Sequence, residues 1–174
     1  MNSTASLEQA ELSIIGAGCA GLSLARQLVR TEKTSSIKAC LYGPISLAAT
    51  NRHSWGFWAT QGLKEQTELA RQRWHKWQII TTERKVTQTA DSHPYCRLDS
   101  SDWLTHCLNI IDGNIQQEPD SLPTPGAQPI FDSRPPNMPD GAMLQHFKGV
   151  EIKAAQPCFS TDTAILMDFR CDQS

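Results

Sequence analysis

The chain has 174 residues, a formal charge of −2 and an isoelectric point near 6.2, so it carries no electrostatic signature of nucleic-acid binding. Its 39% hydrophobic content supports a buried core, yet no run reaches the roughly 18 apolar residues of a membrane-spanning helix. Six scattered cysteines without a C-x-x-C pair point to reduced thiols in a cytoplasmic setting, with neither a disulfide framework nor a metal site expected.

The polar opening, Met1 to Glu11, lacks the basic and apolar regions of a secretory signal. Leu12 to Ile15 reads as a buried parallel strand. Ala20 to Arg30 reads as a helix through Leu22, Leu24, Ala25 and Leu28, and Ile37 to Tyr42 as a second strand. Together they form a βαβ unit. Between the first strand and the helix lies Gly16-Ala17-Gly18-Cys19-Ala20-Gly21, a G-x-G-x-x-G turn. The first glycine permits the tight turn, the second lets backbone approach a pyrophosphate, and the third lets helix and strand pack closely. Ala17, Cys19 and Ala20 would add backbone N–H groups at the positive end of the helix. A carboxylate normally ends the second strand and holds the ribose hydroxyls. Tyr42-Gly43-Pro44 stands there instead, leaving the Tyr42 hydroxyl or a backbone group as substitutes.

Leu47 to Gly62 has no clear period and is expected to be an ordered loop carrying Trp55, Phe57 and Trp58. Leu63 to Trp77 is expected to be a structural helix, with Leu63, Ala70, Trp74 and Trp77 near one face. Gln78–Thr82 and Val86–Thr89 predict a hairpin across Glu83-Arg84-Lys85, and Tyr95–Leu98 a short strand. Ser100 or Ser101 would cap a helix that buries Trp103, Leu104, Cys107, Leu108 and Ile111. Asn114–Gln117 reads as a strand, and Glu118–Pro129, with four prolines, as a loop. Ile130-Phe131-Asp132 would rejoin the main sheet, ending at Ser133-Arg134 because Pro135-Pro136 cannot extend it. Pro135–Gly141 is a second loop. Met143–Phe147, Val150–Ala154 and Ala164–Arg170 return to strand patterning. The chain stops soon after the apolar stretch Ala164 to Met167, which reads as a truncated protein or a fragment.

Several segments resemble bacterial lycopene cyclases. The opening Ile14 to Ala25 looks like theirs, and Asn51-Arg52-His53-Ser54-Trp55-Gly56-Phe57-Trp58 resembles their N-H-T-W-x-F segment with Arg52 added. Ile130 to Arg134 is similar to their V-x-D-x-R strand. Most specific is Gln145-His146-Phe147-Lys148-Gly149-Val150-Glu151 followed by Leu166-Met167-Asp168-Phe169-Arg170. The family's Phe-Leu-Glu-Glu segment, linked to acid catalysis, has no counterpart in these residues.

The resemblance implies an α/β protein. A Rossmann-type FAD-binding domain over 1–134, with an inserted hairpin at 77–98, would be followed by an incomplete antiparallel substrate layer over 135–174. It implies FAD, NAD(P)H as reductant, a linear carotenoid such as lycopene, and redox-neutral closure of a β-ionone ring. Glu151 and Asp168 are the candidate catalytic carboxylates. Glu151 would act as acid, base or cation stabiliser unless it is an exposed strand carboxylate, and the alternative for Asp168 is a strand-end hydrogen bond. Trp55, Phe57 and Trp58 would line a polyene tunnel or pack on the flavin, or else simply fill the core. His53 and Arg134 are further candidates for flavin contact, or ordinary surface charges. A substrate that lives in the bilayer implies peripheral membrane contact. The competing readings are a hydroxylase or prenyl reductase of the same architecture, and an inactive fragment.

Overall fold

A computed structural model of the chain describes residues 10–31, 36–45, 53–126, 128–143, 149–150 and 152–170. They divide into two units: Met1–His53 with Asp99–Pro135, and Ser54–Leu98 with Pro136–Ser174. The 77–98 segment, read from the sequence as an insertion in the first domain, groups with residues after 135.

The first unit is built on a four-stranded parallel sheet. Strand β1 (Leu12–Ile15) leads into helix α1 (Cys19–Arg30), and β2 (Ala39–Tyr42) returns parallel beside β1 with Ile15 opposite Tyr42. Two later strands, β8 (Gln116–Glu118) and β9 (Ile130–Asp132), complete the order β8-β2-β1-β9. Ser13, Ile14, Cys40 and Leu41 are essentially solvent-free, as expected for parallel strands covered on both faces. α1 buries Leu22, Ala25 and Leu28 at helical spacing.

Helix α3 (Ser100–Ile111) packs on α1 and buries Trp103, Leu104, Cys107 and Ile111. The Trp103 indole N–H donates to Ser23 Oγ at 2.9 Å, and the Arg26 guanidinium lies over the ring, 5.1 Å from its centroid. Desolvated cations on indole faces are favourable, so this contact helps to hold a nearly buried arginine. Ser100 is the first helical residue rather than the cap, and Asp99 takes the cap position. Ser100 instead exchanges two bonds with the His53 backbone: its Oγ accepts the His53 N–H at 2.9 Å, and its own N–H donates to the His53 carbonyl at 2.8 Å.

The second unit differs most from the sequence expectation. The supposed loop contains strand β3 (Ser54–Trp58). The supposed helix is a short 3₁₀ turn (Gln61–Leu63) and a six-residue helix α2 (Lys64–Leu69). Strands β4 (Gln72–Trp74) and β5 (Lys76–Ile80) follow, so Trp74 and Trp77 belong to strands. Tryptophan and isoleucine favour pleated pairing, and here they find it. β4 pairs antiparallel with β7 (Tyr95–Asp99), and β5 pairs antiparallel with β6 (Lys85–Thr89). β3-β7-β4 form one sheet, and the last strand, β10 (Thr163–Asp168), forms another in the order β10-β5-β6. β10 lies parallel to β5, with a register shift between Ile165 and Met167, so the second sheet is mixed. Of the strand expected over 150–154, Val150 and Ile152 to Ala154 have no regular structure. Glu151, and all of the expected Met143–Phe147 strand except Met143, lie outside the described residues. Among the described residues no helix is long and apolar enough to cross a membrane.

Candidate functional site

The β1–α1 turn brings Gly16, Ala17, Gly18, Cys19, Ala20 and Gly21 together. Gly16 has φ +100°, a left-handed conformation that side chains disfavour. Its N–H donates to the Tyr42 carbonyl at 2.8 Å, closing the turn against β2. A Cβ at Gly21 would collide with the carbonyl oxygen of Gly16, so only glycine lets α1 start this close to β1.

Gly18 caps α1 with extended dihedrals and no side-chain bond. A Cβ there would meet nothing within 4 Å, so the helix end opens outward. Cys19 and Ala20 are exposed beside it, and no acidic residue occupies the first turn. A helix leaves its first N–H groups without intrahelical partners, and those groups attract anions. The residues present fit a diphosphate.

Ser133, which sequence reasoning passed over, holds the turn in place. Its Oγ–H lies 2.8 Å from the Ile15 carbonyl and 3.2 Å from that of Gly16, and its N–H donates to Ile15 at 2.9 Å. The signal was its position directly after Asp132 at the mouth of a parallel strand beside β1. Next to it, Arg134 donates Nε to Asp132 Oδ1 at 2.9 Å and Nη2 to Oδ2 at 2.7 Å. This fork, with the Arg134 backbone N–H, holds the Asp132 carboxyl down to about 2 from an ordinary 3.8. Because the folded value lies below the ordinary one, the pair is intact above the ordinary value and is lost as pH falls through about 2. Carboxyl-detected NMR should place the Asp132 midpoint there, and Arg134→Gln should return it toward 3.8. An unchanged midpoint in that variant would contradict the pairing.

In the second unit, the alternation of β3 splits the three proposed substrate residues. Trp55 and Phe57 point to one face, and Trp58 to the other. Trp58 meets Trp77 edge-on (centroids 5.6 Å, planes at 71°) and Tyr95 (5.0 Å, 63°), while Trp74 stacks on Tyr95 at 6.3 Å. Gly56 is needed for this cluster, because a Cβ there would overlap the Tyr95 hydroxyl. Tyr95, Trp74 and Trp77 were not expected here, since the helical reading of 63–77 hid the cross-strand neighbours.

Trp74 and Tyr95 also line an open cavity of about 980 Å³ with Phe159, Ile165, Leu166 and Asp168. Asp168 is exposed and bonded by Arg170, whose Nε lies 2.8 Å from Oδ1. That fork lowers its carboxyl to about 2, so Asp168 is a carboxylate at neutral pH and a poor proton donor. The His53 side chain is exposed, and its backbone serves the start of α3.

A parallel sheet whose first strand runs through a glycine turn into an open helix end defines the dinucleotide-binding class of α/β folds. The sequence matches the family model described as lycopene cyclase protein over residues 11–111 and 123–174, and the chain belongs to that family. None of the curated proteins matches it. Its fold is similar to that of PqsL, a probable FAD-dependent monooxygenase from Pseudomonas aeruginosa, with TM-score 0.48 and 15% identity over 63% of this chain and 32% of that one. It is also similar to 2-methyl-3-hydroxypyridine-5-carboxylic acid oxygenase (TM-score 0.47, 16% identity, 63% and 32%) and to CtdE in complex with FAD (0.39, 11%, 63% and 30%). The chain spans about a third of the length of these structures.

Proposed function

We propose that the chain supplies the FAD-binding part of a flavoprotein that closes the ψ end of lycopene, or a related linear carotenoid, into a β-ionone ring. The observation that carries this reading is the three-glycine turn opening onto the bare N-terminus of α1, in a chain of the lycopene cyclase family. The turn would hold the diphosphate through backbone N–H groups. Reduced flavin is the form this redox-neutral reaction calls for, with NAD(P)H as the reductant that maintains it.

Ring closure needs a proton delivered to the terminal double bond, attack by the neighbouring double bond on the resulting cation, and loss of a proton. Atoms and electrons balance as an isomerisation. Asp168, held ionised by Arg170, suits stabilisation of the cation. Glu151 is left as the candidate donor. Aromatic faces such as those of Trp58, Trp74 and Tyr95 attract cations and accept a polyene. Contact with the bilayer, from the cytoplasmic side, would deliver the substrate.

After incubation with FAD and desalting, the chain should retain a flavin absorption spectrum; a colourless protein would remove the basis of the reading. With reduced flavin and lycopene in liposomes, a cyclase yields ring-containing isomers of unchanged mass. Oxygenated or saturated products would identify a hydroxylase or a reductase instead.

A further inference from the structure

Dinucleotide-binding folds meet the adenosine ribose with a carboxylate at the end of the second strand. Here that residue is Tyr42, a phenol. The sheet supplies a carboxylate one strand further out. β8 lies parallel to β2 on the side away from β1, and its last residue, Glu118, stands in register with Tyr42. Adjacent strands are about 4.8 Å apart, within the span of a glutamate side chain.

The backbone ties Glu118 to the phosphate turn in two steps. Its carbonyl accepts the Gly43 N–H at 3.2 Å. Gly43 in turn sits against the turn: a Cβ built on it would lie 3.6 Å from the Gly16 N and Cα and the Ala17 N. Asp132, at the same end of the sheet, is on the far side of β1 and is occupied by Arg134.

The Glu118 side chain is half-buried and held at both oxygens. Oε1 accepts Gln116 Nε2 at 2.9 Å, and Oε2 accepts the Ser121 hydroxyl at 3.4 Å. An ionised carboxylate has about four lone-pair sites, so two such donors leave room for two hydroxyls. Its charge is also felt on the Tyr42 side. The Tyr42 phenol is pushed up by burial first, then by Cys40, and also by Glu118.

We propose that Glu118 does the work of the absent second-strand acid, accepting hydrogen bonds from the 2′ and 3′ hydroxyls of the adenosine ribose. The inference rests on the glycine-turn reading above. It assigns the ribose contact to a different strand from the one that ordinarily provides it.

The test is calorimetric titration of the full chain with ADP and with 2′,3′-dideoxy-ADP, for wild type, Glu118→Gln and Glu118→Ala. Thermal melts would check that each variant is folded. Wild type should prefer ADP by about tenfold, the scale of hydrogen bonds to a charged group. Glu118→Ala should bind ADP about tenfold more weakly and show no preference, with Glu118→Gln in between. Should the alanine variant fail to fold, Glu118→Gln and the wild-type ligand pair still decide the matter. Wild type that binds both ligands equally, or variants that keep the wild-type preference, would overturn the role of Glu118 and leave the glycine turn standing. Wild type that binds neither ligand would overturn both.

Discussion

Gly21→Ala will both destabilise the chain and abolish FAD binding, whereas Gly18→Ala will weaken binding and leave the melt almost where it was. The two glycines belong to one motif but meet different surroundings. At position 21 a methyl group would run into the main-chain carbonyl of Gly16, which cannot rotate away as a side chain can. Overpacking a core costs about 1–3 kcal/mol, and a main-chain obstacle places this case at or above the upper end. Relief requires α1 to withdraw from β1, which also breaks the turn that would receive the diphosphate. At position 18 the added methyl meets open space, and φ −89° with ψ −167° is ordinary extended backbone. Losing the glycine cap costs under about 1 kcal/mol. Yet that open space is where a diphosphate would approach, so affinity should fall about tenfold or more. Thermal denaturation and flavin fluorescence titration of both variants separate the two effects. Equal loss of stability in both would defeat the assignment of a packing role to one and a binding role to the other.

Trp103→Ala should cost roughly 3–5 kcal/mol, the range for truncating a buried aromatic side chain. Typical domains are stable by only about 5–15 kcal/mol, so the first unit should melt far earlier or fail to fold. Trp103 is 2% exposed and serves α1 twice, through its bond to Ser23 and its ring beneath Arg26. Removing it leaves a cavity and strips a nearly buried guanidinium of its ring. Trp103→Phe retains most of the volume and loses the N–H, so it should cost nearer 1 kcal/mol. Urea unfolding followed by far-ultraviolet circular dichroism measures both. A Trp103→Ala midpoint close to wild type would show that α1 and α3 do not depend on this contact.

The part of the chain legible in advance was the part whose rules are local. Leu12 to Arg30 declares itself through a short apolar run, three glycines at fixed spacing and a helical apolar stripe. Each of those features has one physical use in that order. Trp103, Leu104, Cys107 and Ile111 were likewise readable, because a 3.6-residue period survives without knowledge of neighbours. The residues from 54 to 80 were not. Their tryptophans recur at spacings that suit a helical face, and only pairing with 85–89 and 95–97 decides for strands. Cross-strand partners are nonlocal, so Tyr95 beneath Trp58 and Trp74 has no sequence signature. Ser133 escaped for a related reason: its bonds reach back to Ile15 and Gly16, 118 and 117 residues earlier. Glu118 opens a proline-rich stretch that reads as a loop, and its register with Tyr42 emerges only from the pairing of β8 with β2.

The interleaving of the two units has a consequence for biosynthesis. A ribosome releases β1 long before β9, so the nascent sheet carries an open hydrogen-bonding edge until Asp132 and Ser133 emerge. β5 waits similarly for β10. Neither unit can mature vectorially from one contiguous stretch, and closing such distant pairs slows folding. Unpaired edges exposed in the meantime invite association between nascent chains, so yield should depend on synthesis rate and on chaperone supply.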